Sequence, residues 1–106
     1  MSSSIRILAS EENGIVSVKV IIPHPNESGT RINEQGFVVP AYFVREGSVT
    51  LNGDSLFVIE LGPAVSKDPF LQFRFTGKKG DVLKVVFLDN HGGLFEAETI
   101  VQQSQR

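Results

Sequence analysis

The sequence has no cysteine and no tryptophan, and only one methionine, one tyrosine and two histidines. Without cysteine there can be no disulfide, no thiolate metal site and no cysteine nucleophile. Charge of one sign is also missing: ten Lys and Arg stand against twelve Asp and Glu, a formal net charge of −2. Such a balance supplies no electrostatic footprint for nucleic acid. Long hydrophobic runs are absent too. The longest stretch without a charged side chain is residues 35–44, far below the roughly 18 apolar residues of a membrane-spanning helix. Arg6 arrives before any apolar run can build up, so no signal peptide is expected, which ordinarily points to the cytoplasm. What remains is 106 residues, 41% of them apolar. That is the size of one soluble domain, expected to span residues 1–106 with a core large enough to fold without staples.

Strand patterns fill most of the chain. In residues 15–22, Val16, Val18, Val20 and Ile22 alternate with Ile15, Ser17, Lys19 and Ile21, the period-two pattern of a half-buried strand. Val49 and Leu51 lead into Asn52-Gly53, after which residues 56–61 resume a β-branched and aromatic run; Asn-Gly between two such runs signals a hairpin. Residues 70–76 set Leu71, Phe73 and Phe75 against Gln72, Arg74 and Thr76, and residues 82–89 alternate Leu83, Val85 and Phe87 inward. Residues 94–101 place Glu96 and Glu98 on one side and Phe95, Ala97 and Thr99 on the other. With strands near residues 5–9 and 43–51, and no convincing 3.6-residue apolar period, the pattern predicts an all-β chain. Its expected architecture is an immunoglobulin-like antiparallel β-sandwich of about seven strands, favoured over a small barrel that the same pattern would fit. The buried set should be Val16, Val18, Val20, Leu71, Phe73, Phe75, Leu83, Val85, Phe87 and Phe95. Lys19, Arg74, Lys84, Glu96 and Glu98 should stay in water.

Two segments break the rhythm. Residues 23–40 carry three prolines, two glycines and a polar stretch; proline has no ladder N–H, so this is a long connection or a broken edge element, and loops of such length are often functional. Residues 62–69 join two strands and have room for a short helical turn. Residues 2–4 and 102–106 read as frayed ends.

Chemistry is sparse. His24 and His91 are the only groups expected to titrate near neutral pH. A Ser-His-Asp set can be assembled on paper from His91, Asp89 and a serine, but no G-x-S-x-G elbow accompanies it. His24 with Glu27, or Asp89, Asn90 and His91 within one turn, do not enclose an ion unaided. Glu96 and Glu98 at i, i+2 mark the wet face of a strand, whereas glycosidase carboxylates come from elements that flank a cleft. Gly92-Gly93 makes a turn and no phosphate cradle, since no helix comes after it. The residues alone thus describe a β domain with no visible catalytic apparatus, a binding or scaffold module.

The irregular segments carry a signature. His24-Pro25-Asn26-Glu27-Ser28-Gly29-Thr30-Arg31 resembles the H-P-M-E-T-G-x-R segment of the SoxZ family of sulfur-oxidation proteins, with Asn26 in place of Met and Ser28 in place of Thr. Gly36, Pro40-Ala41, Phe43, Asn52-Gly53 and Asp68-Pro69-Phe70-Leu71-Gln72-Phe73 come next, in the family's order. Phe87-Leu88-Asp89 resembles the family's W-x-D near the C-terminus, with Gly93 and Glu98 after it. The resemblance runs from about Ile5 to Val101.

It implies a sandwich with no catalytic group and no cofactor, paired as a heterodimer with a SoxY-like protein. That partner carries thiosulfate-derived intermediates on a cysteine of a flexible arm and presents them to sulfur-oxidising enzymes, which dock transiently. It also implies a periplasmic location by co-export with the signal-bearing partner, against the reading of the N-terminus alone. Self-association of the isolated chain is left open. The expected partner surface is His24, Pro25, Arg31, Tyr42, Phe43, Phe70 and Leu71, with an apolar centre formed by the last four. Two other readings stand beside this one. An immunoglobulin-like assembly module unrelated to sulfur needs no carrier partner, and a small enzyme using His24 or His91 needs a concave pocket that joins one of them to an acid or a nucleophile.

Overall fold

A computed structural model describes residues 5–62 and 69–104. They form eight strands: β1 Arg6–Glu12, β2 Ile15–Ile21, β3 Val44–Leu51, β4 Asp54–Glu60, β5 Phe70–Thr76, β6 Val82–Asp89, β7 Leu94–Ile100 and β8 Gln102–Gln103. The first sheet has the order β5-β2-β1-β8 and the second β4-β3-β6-β7. The two pack face to face as a β-sandwich. Every pairing is antiparallel except β1 with β8, which run parallel through Ser10–Gln102 and Glu11–Gln103.

Local chemistry explains the hairpins. Asn13 and Gly14 have φ of 55° and 80°, and Asn52 and Gly53 have 52° and 88°. Left-handed backbone at both central residues is what a tight two-residue hairpin requires, because its twist then matches that of the strands. The Asn52-Gly53 hairpin is as expected. Asn13-Gly14 is a second copy of the same signal, joining β1 to β2.

Alternation then builds the core. Val16, Val18 and Val20 of β2 and Leu83, Val85 and Phe87 of β6 are fully buried between the sheets, with Ile22, Val44, Val49 and Val101 around them. Each such side chain contributes about 1.5–3 kcal/mol relative to leaving it in water. Leu71, Phe73, Phe75 and Phe95 also point inward but are only partly buried, because β5 and β7 are edge strands. Phe73 meets Phe57 edge-on across the sheets, ring centroids 4.9 Å apart. Gly47 leaves room for Phe87: a Cβ there would lie 2.5 Å from the ring.

The connections fall at two ends. At one end Asn52 clasps the next crossing, its side-chain nitrogen donating to Asp81 Oδ1 (3.1 Å) and its side-chain oxygen accepting from the Val82 amide (2.8 Å). Asp81 also accepts from the Lys78 amide (3.1 Å). Hydrogen bonds from Asn52 and from the Lys78 amide hold its carboxyl below the ordinary value. At the other end lie the crossing from β2 to β3, the entry into β5 at Pro69, whose carbonyl accepts the Ile22 amide at 2.9 Å, and the β6–β7 turn. The short helical turn read near residues 62–69 falls on residues 63–68, outside those described, as do residues 2–4. Gln102 and Gln103, expected to fray, instead form β8.

Candidate functional site

The crossing from β2 to β3 is where the sequence departs most from strand chemistry. Pro23 and Pro25 offer no N–H to a neighbouring strand, so the ladder stops and the chain turns across the end of the sandwich. Between the two prolines His24 folds inward and is 2% exposed. Its Nε2 lies 3.2 Å from Oδ2 of Asp89, the last residue of β6, and its Nδ1 contacts the carbonyl of Pro25. The ring stands edge-on to Phe95 (5.5 Å, 84°) and tilted against Tyr42 (4.6 Å, 59°).

Asp89 organises the rest. Its Oδ1 accepts the amides of His91 (2.9 Å) and Gly93 (2.7 Å), so the β6–β7 turn closes over the carboxylate. A Cβ on residue 93 would sit 2.7 Å from Oδ2, and glycine is the residue that fits. Burial pushes the Asp89 carboxyl up, but the Gly93 amide, the His24 ring and the His91 amide more than offset it. The net displacement is below the ordinary 3.8. Tyr42 moves the other way: burial and the neighbouring Asp89 charge raise its phenol.

The turn also grips the crossing. Asn90 accepts from the Phe43 amide (2.9 Å) and donates to the Ala41 carbonyl (2.8 Å). His91, an exposed turn histidine as expected, stacks flat on Tyr42 (4.2 Å, 13°) with Nε2 3.0 Å from the same carbonyl. Beyond this grip residues 22–43 form an irregular hairpin. Glu27 and Tyr42 exchange both backbone bonds at 2.8 Å, and Ile32 and Val38 form a second bridge. Arg31 chelates Glu27 through Nε and Nη2 at 2.8–3.2 Å. The Asn33 side chain caps the tip by accepting the Gln35 and Phe37 amides, both at 3.0 Å.

Chemically this is a clamp. A His–Asp pair acts as general base when the second ring nitrogen faces a substrate or nucleophile. Here one ring nitrogen faces Asp89, the other faces a backbone carbonyl, and the ring is buried. Asp89, set beside His91 in the sequence, meets His91 only through the backbone amide; the imidazole that faces its carboxylate is His24, 65 residues away. Among the described residues no three His, Asp or Glu side chains gather as a metal site requires.

Of the seven residues expected at a partner surface, His24 and Leu71 point inward. His24 lies beneath the surface that it was expected to rim, because its ring is needed by Asp89. Leu71 packs inward as alternation on β5 demands, so it cannot share a face with Phe70, which points out at 53% exposure. Pro25 and Arg31 are exposed along the crossing, and Tyr42 and Phe43 are partly buried at its return. Phe70 instead keeps company with Leu8 and Ile21, neither of which was singled out.

Comparison with known proteins adds the family. The family model described as Sulphur oxidation protein SoxZ matches residues 5–100. No curated protein sequence matches. Among solved structures, the superoxide reductase (neelaredoxin) from Ignicoccus hospitalis superposes with a TM-score of 0.65 at 20% identity, covering 98% of this chain and 81% of that one. A hypothetical protein from Pyrococcus horikoshii OT3 gives 0.67 at 17%, covering 96% and 90%. The superoxide reductase from Nanoarchaeum equitans gives 0.63 at 14%, covering 94% and 91%. At these identities the likeness is one of fold alone. The family match, by contrast, takes in both halves of the clamp, and the chain belongs to the SoxZ family of sulfur-oxidation proteins.

Proposed function

We propose that this chain is the non-catalytic subunit of a periplasmic sulfur carrier. It pairs with a SoxY-like protein whose arm cysteine holds thiosulfate-derived groups, and it crosses the membrane with that signal-bearing partner. The observation that carries the reading is how the family-signature residues are used. His24, Gly29, Asp89 and Gly93 serve the fold of the crossing: His24 and Gly93 meet on Asp89, and Gly29, at φ 87°, seats its backbone against Ala41. These residues build a rigid end to the sandwich and leave no ring nitrogen aimed at a substrate. A chain without cysteine beside a persulfide carrier also offers no thiol for exchange. The sulfur chemistry then belongs to the partner, and this subunit supplies a surface that holds the carrier and aids its recognition by the oxidising enzymes.

The experiment is co-expression with a SoxY-like protein. A stable one-to-one complex is expected, with the carrier less stable when purified alone. Separate elution of the two chains at micromolar concentration would remove the reading.

A further inference from the structure

The outer faces of the two sheets differ in charge and in how that charge is neutralised. On the second sheet Glu46, Glu60, Glu96 and Glu98 stand outward, and the cations among them are paired: Arg45 lies 3.8 Å from Glu46, and Lys84 lies 3.7 Å from Glu96. On the first sheet the outward rows, read across β1, β2 and β5, are Arg6–Ile21–Phe70, Leu8–Lys19–Gln72, Ser10–Ser17–Arg74 and Glu12–Ile15–Thr76, with the acid Glu12 in the row farthest from Arg6. Arg6, Lys19 and Arg74 are all exposed, and among the described residues none has an anion within 4 Å. In their midst Leu8 is 70% exposed, Phe70 53% and Ile21 39%, lining a shallow groove of about 520 Å³ with Arg6 and Lys19 on its walls.

Neither half of this arrangement serves the fold. The apolar side chains point away from the core, and among the described residues the three cations form no ion pair. We infer that the outer face of the first sheet is the surface on which the carrier subunit docks, through a partner face with an apolar centre and an acidic rim. This docking face rests on the carrier reading and deepens it. Aromatic and aliphatic anchors at the centre supply most of such an interface's affinity, while a charged rim steers encounter and fixes register. Three cations against the one acid Glu12 favour an acidic protein partner, and in a chain of net charge −2 this face, where Arg6, Lys19 and Arg74 make no ion pair among the described residues, carries the recognition signal.

The test is calorimetric titration of the carrier subunit with the full-length chain at low and at moderate salt. Wild type should bind, more weakly as salt rises. Leu8→Ser and Phe70→Ser should each weaken binding by ~30-fold, with melting temperatures unchanged because both side chains are solvent-facing. The Arg6→Glu, Lys19→Glu double variant should lose most affinity at low salt. Leu94→Ser, on the opposite face, should bind as wild type does. If wild type binds and the Leu8 and Phe70 variants bind equally well, or if Leu94→Ser is the one that fails, this surface is overturned while the carrier reading survives. No binding by wild type overturns both. If instead the same variants abolish only a concentration-dependent dimer of the isolated chain, the face is a contact between copies and the inference is wrong.

Discussion

At the scale of single residues the fold turns on Asp89. It accepts two backbone amides and faces the His24 ring while nearly excluded from water. Removing one partner of a buried, hydrogen-bonded pair leaves the other unsatisfied, so Asp89→Asn should lower unfolding free energy by about 3 kcal/mol, read by urea denaturation. The pH dependence has a definite sign. A carboxyl with a folded value below its unfolded one adds stability that is present above the unfolded value, near 3.8. That stability is lost as pH falls through the folded value. Wild type should therefore lose stability below about pH 4, and Asp89→Asn should show a shallower acid limb. The opposite ordering of the two acid limbs would remove Asp89 from this role. Gly93→Ala drives a methyl against the same carboxylate, 2.7 Å away, and should cost about 1–3 kcal/mol.

Elements differ in how plainly the sequence announces them. β5 and β6 begin and end where alternation places them, and the other main strands agree within a few residues, because period two is written locally in valines and phenylalanines. β8 is two glutamines, whose pairing with β1 depends on where Val101 is anchored, and no local pattern encodes that. The clamp was half legible. His24 and Asp89 each stand in a segment that resembles the family, but a contact over 65 residues leaves no periodic trace, and the nearer His91 is the distracting neighbour. Leu71 alternates inward on β5 with Phe73 and Phe75, while Phe70 points out. The crossing should behave as a unit pinned at its base. Asn90→Ala removes two hydrogen bonds to residues 41 and 43 and should cost about 1–2 kcal/mol, with faster hydrogen exchange at the Phe43 amide. Arg31→Ala breaks an exposed pair with Glu27 and should leave the melting temperature unchanged, since such pairs contribute little. A large loss from Arg31→Ala would mean that the outer half of the crossing holds the fold.

Over the whole molecule, the buried polar groups brace the two ends and the outer sheet faces carry the asymmetry of charge. The SoxZ family match over residues 5–100 takes in His24 and Asp89, which the fold uses to close one end. The fold itself recurs in superoxide reductases at about 20% identity, so the sandwich does not determine the chemistry built on it. The most direct measurement is intact-mass spectrometry of the complex with the SoxY-like subunit after incubation with thiosulfate, the enzyme that oxidatively couples it to the carrier, and an electron acceptor that takes the two electrons released as the S–S bond forms. The expected result is a one-to-one complex in which the partner gains the sulfur adduct on its arm cysteine and this chain keeps its unmodified mass. Consumption of thiosulfate by this chain alone, or a loaded partner that never associates with it, would contradict the assignment.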